Sequence, residues 1–130
     1  MIIDTSVLLA ILLREPARDR LLMRLAEVDQ RLVSVFSLYE AATVLLNRRG
    51  NAALPPLLAL VQEAALLLVA FDEHQAMIAM EVYQKQGKGI HRHHLNLGDC
   101  VVCALAIHRQ MPIFSTSQEF TRAGFAGVHL

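Results

Sequence analysis

Met1-Ile-Ile-Asp4-Thr-Ser6-Val-Leu-Leu-Ala-Ile-Leu-Leu13-Arg-Glu-Pro16 opens the chain and decides its fold class. Met1 to Ile3 reads as a short apolar strand that stops at Asp4. Ser6 to Leu13 then reads as a buried helix, with Arg14, Glu15 and Pro16 marking its end. A strand that passes straight into a helix is the opening of a crossover unit, and the rest of the chain keeps to the same alternation.

Outward from that stretch, Leu21, Leu22, Leu25 and Val28 recur three and four residues apart, the spacing of an amphipathic helix over 17–28, and Leu32 to Phe36 reads as a second strand. Ser37-Leu-Tyr-Glu40 fits the capping-box pattern and opens a helix through Arg49, with Gly50 as its terminator. Pro55 and Pro56 suit the first turn of a helix leading to Ala65, and Leu66 to Phe71 supplies a third strand. Asp72 with Gln75 caps a helix to about Gln86. A glycine-punctuated, basic, histidine-containing loop over 87–98 follows, then a helix from Cys100 to Arg109 and a last strand from Pro112 to Ser115. Strands separated by helices imply right-handed crossovers. The expectation is one domain over residues 1–130: a three-layer α/β/α sandwich around a short, mostly parallel sheet.

Composition narrows the function. Apolar residues make up 55% of the 130 and mean hydropathy is +0.41, more apolar surface than a small monomer can bury, so part of it is expected to face a partner chain. No apolar run approaches the roughly 20 residues that span a bilayer, and Asp4 interrupts what would be a signal peptide, so a cytoplasmic protein is expected. Twelve Lys and Arg balance twelve Asp and Glu, which neither demands nor excludes a nucleic-acid partner.

Asp4, Glu40 and Asp99 each stand at a strand-to-helix junction, where parallel sheets form their ligand crevice. Taken singly, each is explained by helix capping, and Ser37 would account for Glu40 fully. Gathered together they would repel, by roughly 4 kcal/mol per pair at 4 Å and an effective dielectric near 20. Such a cluster takes up protons or binds a hard cation, and oxygen-only ligands favour Mg²⁺ or Mn²⁺. Metal-assisted hydrolysis of a phosphate ester is the natural use.

Three motifs, Met1-Ile-Ile-Asp4-Thr-Ser6, Ser37-Leu-Tyr-Glu40 with its Ala-rich helix ending Arg48-Arg49-Gly50, and Leu95-Asn-Leu-Gly-Asp99-Cys100 followed by Ala104-Leu-Ala106, together resemble PIN-domain ribonucleases, VapC toxins above all. The resemblance covers essentially the whole chain. It implies a Mg²⁺-dependent endoribonuclease, with Mn²⁺ able to substitute, that inhibits translation and is silenced by a VapB-type antitoxin; the apolar surplus suits a homodimer or a bound antitoxin helix. By matching position, Asp4, Glu40 and Asp99 would be the catalytic, metal-binding acids. Thr5 and Ser6 would hydrogen-bond those acids or the metal's waters, with Asn96, Ser117, Glu119 and Arg92 supporting the site or the RNA substrate.

The chain departs from the family at Thr116-Ser-Gln-Glu-Phe120, where Ser117 stands in place of a usual acid. Glu119 compensates, one metal suffices, or activity is reduced. The last case would leave a weakened PIN-like module that binds RNA or protein without cutting. A remoter alternative is thiol redox chemistry at Cys100 and Cys103, near a helix start that would stabilise a thiolate. His91, His93 and His94 lack the paired spacing of a zinc site, and with Lys88 and Arg92 they read as a basic rim or a solvated loop. Arg14, Arg48 and Arg49 are further candidates for RNA-backbone contact.

Overall fold

A computed structural model describes residues 1–89, 94–128 and 130. Five strands, Ile2–Ile3 (β1), Leu32–Ser34 (β2), Leu67–Val69 (β3), Ile113–Phe114 (β4) and Gly127–Val128 (β5), form one all-parallel sheet in the order β3-β2-β1-β4-β5. Parallel strands need crossovers, and the helices supply them: Thr5–Leu12 (α1), Arg18–Ala26 (α2), Val35–Arg49 (α3), Leu54–Glu63 (α4), Glu73–Gln86 (α5), Leu97–Arg109 (α6) and Glu119–Arg122 (α7).

Side chains alternate across each strand, so the sheet divides the core in two. Ile3, Val33 and Phe114 pack with α1, α2, α3 and α4 on one face. Ile2, Leu32 and Ile113 pack with α5, α6 and Phe120 on the other. The result is the three-layer α/β/α sandwich expected from the alternation, with β3 at an edge, where Leu67 and Leu68 remain exposed.

Two helix starts differ from the sequence reading. β2 ends at Ser34, whose side chain caps α3 by accepting the Phe36 N–H at 3.2 Å. Val35 and Phe36, residues that favour strands, therefore form the first helical turn. Ser37 lies buried inside the helix, and Glu40 falls in the second turn instead of a capping box. α6 likewise begins at Leu97, three residues before Cys100, because Asn96 is its N-cap. Asp72 caps α5 as expected, by accepting the Gln75 N–H at 2.9 Å. β5 and α7 had no counterpart in the sequence reading, which ended its strands at Ser115.

Candidate active site

From β1 the chain runs outward through β2 to β3, then returns past β1 to β4, so the topology switches between β1 and β4. Ligands of parallel sheets bind where strand carboxyl ends open at such a switch. Asp4 leaves β1 there and is only 6% exposed. Its Oδ2 caps α1 by accepting the Ser6 N–H at 3.3 Å, and it also accepts hydroxyl hydrogen bonds from Ser6 at 2.5 Å and from Ser115 at 2.9 Å. Ser115 follows β4 directly, so the two switch strands are tied through one carboxylate oxygen. The backbone N–H of Thr116 donates to Ser6 Oγ and that of Ser117 to Ser115 Oγ, which holds the hydroxyls in place.

Glu40 reaches the same region from α3. The Thr5 hydroxyl donates to Glu40 Oε1 at 2.6 Å, and Gly98 of α6 lies directly against the carboxylate. Loss of the expected capping box thus removes the structural explanation for Glu40: its carboxylate serves no helix end. Asp99 is different. It forms a reciprocal box with Asn96, whose backbone N–H donates to Asp99 Oδ2 at 2.8 Å while its side chain accepts the Asp99 N–H at 2.8 Å.

A common pattern joins the three acids. Each has one oxygen tied to a protein donor, and among the described residues no donor reaches Asp4 Oδ1, Glu40 Oε2 or Asp99 Oδ1. Asp99 registers the company it keeps. Burial raises its pKa, the Asn96 N–H pulls it back, and the negative charges of Asp4, Glu119 and Glu40 raise it further, to about 6. Four carboxylates therefore share one electrostatic neighbourhood. As they stand, no three His, Cys, Asp or Glu side chains among the described residues are drawn close enough to hold an ion together. The donor set suits a hard cation: all oxygens, repulsive while bare, each with a spare acceptor. The spacing asks for some inward movement, and Glu40 and Asp99, whose carboxylates each accept a single hydrogen bond, are freer to make it than Asp4, whose Oδ2 accepts three.

Ser117, in the position of a family acid, has its hydroxyl committed to accepting the Glu119 N–H at 3.1 Å, and Glu119 is the residue whose charge reaches Asp99. Sequence reasoning overlooked Ser115; its signal was the hydroxyl immediately after a central strand, the same register that marked Asp4. Arg92, His91 and His93 of the expected basic rim lie outside the described residues. Arg48 and Arg49 sit in the last turn of α3, roughly 12 Å along its axis from Glu40, where they complement the helix dipole.

The thiol alternative is corrected. Cys100 and Cys103 are buried in the α5–α6 side of the core as free thiols. Burial, with the charge of Asp99 added, pushes Cys100 up to about 11 and raises Cys103 as well, so desolvation outweighs the helix N-terminus that would favour a thiolate.

A parallel α/β/α sandwich with acids gathered at the switch between β1 and β4 is PIN-like in class. The chain belongs to the PIN domain family, whose model matches residues 1–126, and within it to the VapC ribonucleases. It is 38% identical over 129 residues to "Ribonuclease VapC" of Mycolicibacterium smegmatis, covering 99% of this chain and 100% of that one. It is 36% identical over 130 residues to "Ribonuclease VapC30" of Mycobacterium tuberculosis, covering 100% and 99%. Among solved structures it is similar in fold to VapC20 of Mycobacterium tuberculosis, described as a sarcin-ricin loop cleaving toxin, with a TM-score of 0.81 at 17% identity over 98% of this chain and 97% of that one. It is also similar to VapBC2 from Rickettsia felis bound to a DNA fragment from their promoter, with a TM-score of 0.73 at 14% identity over 98% and 96%.

Proposed function

We propose that this protein is a divalent-metal-dependent endoribonuclease, the toxin of a VapBC-type pair, with Asp4, Glu40 and Asp99 holding Mg²⁺ or Mn²⁺. The observation that carries the reading is the half-tied state of the three acids: each is oriented through one oxygen and retains a second that no donor among the described residues reaches. Structural capping alone would have no use for that arrangement at Glu40, which caps nothing.

Bound there, the ion supplies Lewis-acid polarisation of a phosphodiester and a more acidic water. The chain supplies everything else. Ser6 and Ser115 fix Asp4 and Thr5 fixes Glu40, so these two acids lose little ordering entropy when they are used, while Asp99 leaves its box with Asn96 to join them. Asp4 and Asp99 hold the ion, and Glu40 completes its shell or accepts the proton of the attacking water. Glu119 stands in for the acid absent at position 117.

The test is cleavage of single-stranded RNA with Mg²⁺ or Mn²⁺ by wild type, Asp4→Asn and Asp99→Asn. Metal-dependent cleavage that falls at least about 100-fold in both variants supports the reading. Equal cleavage by all three proteins removes it.

Partners follow from surface chemistry and kinship. Kinship with the VapC ribonucleases and likeness in fold to VapBC2 support a VapB-type antitoxin. An acidic pocket is suited to an arginine-bearing segment of such a protein. A groove of about 550 Å³ lined by Phe36, Phe71, Met80, Tyr83 and Leu97, with Met77 also exposed beside it on α5, supports a homodimer through α3, α5 and the start of α6. No helix among the described residues is long and apolar enough to cross a membrane, and a cytoplasmic site of action fits an RNA substrate.

A further inference from the structure

We propose that Gly98 is a positioning residue: the side chain it lacks is the slot that seats the Glu40 carboxylate. The inference rests on the ribonuclease reading of Glu40 and goes beyond it. Gly98 is buried in the first turn of α6, where glycine is a poor helix former. Its backbone angles do not explain it either. Gly50, Gly89 and Gly124 take positive φ and have open space where a Cβ would go, whereas Gly98 does not take positive φ and has no such space. A Cβ there would overlap both Glu40 carboxylate oxygens and Cδ. The same carboxylate is held by the Thr5 hydroxyl, which donates to Oε1 at 2.6 Å.

Three helices therefore contribute to one seat: α1 provides the donor, α3 the acid and α6 the gap. The obstructed atoms belong to the free end of a flexible side chain, so an alanine at 98 would be relieved by movement of Glu40, not of the backbone. The fold should survive and even gain, since alanine is the better helix residue, while the acid is driven off Thr5 and away from Asp99. A residue important only for folding would show the opposite combination.

The experiment compares wild type, Gly98→Ala, Glu40→Ala and the double variant. For Gly98→Ala, the expected results are a Tm equal to or above wild type and a loss of about 10- to 100-fold in Mn²⁺ affinity and in RNA cleavage. In the Glu40→Ala background, Gly98→Ala should cost no further activity. Crystal structures of wild type and Gly98→Ala without metal form the second arm, and the variant should show Glu40 displaced and its bond to Thr5 broken. Wild-type Mn²⁺ affinity and cleavage in Gly98→Ala, an equal loss on top of Glu40→Ala, or a Glu40 unmoved in the variant crystal would each overturn the proposal. If wild type itself neither binds Mn²⁺ nor cuts RNA, the functional reading fails, and the crystallographic arm still decides the slot.

Discussion

Asp99 carries the sharpest consequence at the scale of one residue. Its carboxyl titrates near 3.8 in an unfolded chain and at about 6 in the folded protein. Between those values the folded state binds more protons, so metal-free stability should decline as pH rises from about 4 to 6 and stay lower above that. Asp99→Asn removes the charge and keeps an acceptor for the Asn96 N–H. In EDTA at pH 7 this variant should be more stable than wild type, on the order of 1 kcal/mol once solvent screening is allowed for. It should also lose the downward slope between pH 4 and 6. Thermal melts across that range check both expectations, and a less stable Asp99→Asn at pH 7 would count against them. The same substitution should abolish cleavage, so the acid at 99 trades stability for function. In the sequence, Asp99 was visible as an acid near a helix start and as part of the Leu95-Asn-Leu-Gly-Asp99-Cys100 motif, but not as a member of a cluster. Its neighbours Asp4, Glu119 and Glu40 come from remote parts of the chain, and no linear pattern reports their convergence.

Elements show where linear patterns mislead. Ser37 and Glu40 have the spacing of a capping box, yet Ser34 performs the capping three residues earlier, because β2 needs only Leu32, Val33 and Ser34 to pair with β3. Val35 and Phe36 look like strand residues and are helical. The propensity of two residues yields to a cap and to the end of the ladder. Ser34→Ala should therefore cost about 1 kcal/mol by urea denaturation. Ser37→Ala should cost nothing or stabilise slightly, because the Ser37 hydroxyl is buried with no partner among the described residues. The reverse ranking would restore the helix start read from sequence. β5 and α7 escaped notice for a related reason: Gly127–Val128 is a strand only by virtue of pairing with β4, and α7 is one turn long. By contrast, β1 to β4, α1 and α5 were legible within a few residues, since apolar runs, Pro and Gly punctuation and the Asp72 cap all act locally.

At the scale of the whole molecule, two features bear on the proposed partners. One is the group of acids at the strand ends. The other is the apolar groove lined from α3, α5 and the start of α6, where Met80 and Leu97 are more than half exposed. The surplus of apolar residues was legible in composition, but the groove that some of them line was not, because it depends on which sides of α3, α5 and α6 the sheet leaves uncovered. If a second copy covers the groove, Met80→Glu should convert a dimer to a monomer by light scattering with no loss of folded structure. A dimer unaffected by Met80→Glu would move the interface elsewhere. The three-layer fold itself followed from alternation of strand and helix. The identity of the acids needed both the strand-end argument and the joint resemblance of three motifs, since in the sequence alone each acid singly is as well explained by a helix cap.

The most direct measurement is anomalous diffraction from crystals of this protein soaked in Mn²⁺. A peak within ligand reach of Asp4 Oδ1, Glu40 Oε2 and Asp99 Oδ1, with Asp99 drawn out of its box with Asn96, is the predicted result. A pocket empty at millimolar Mn²⁺, or an ion bound by fewer than two of these acids, would contradict it.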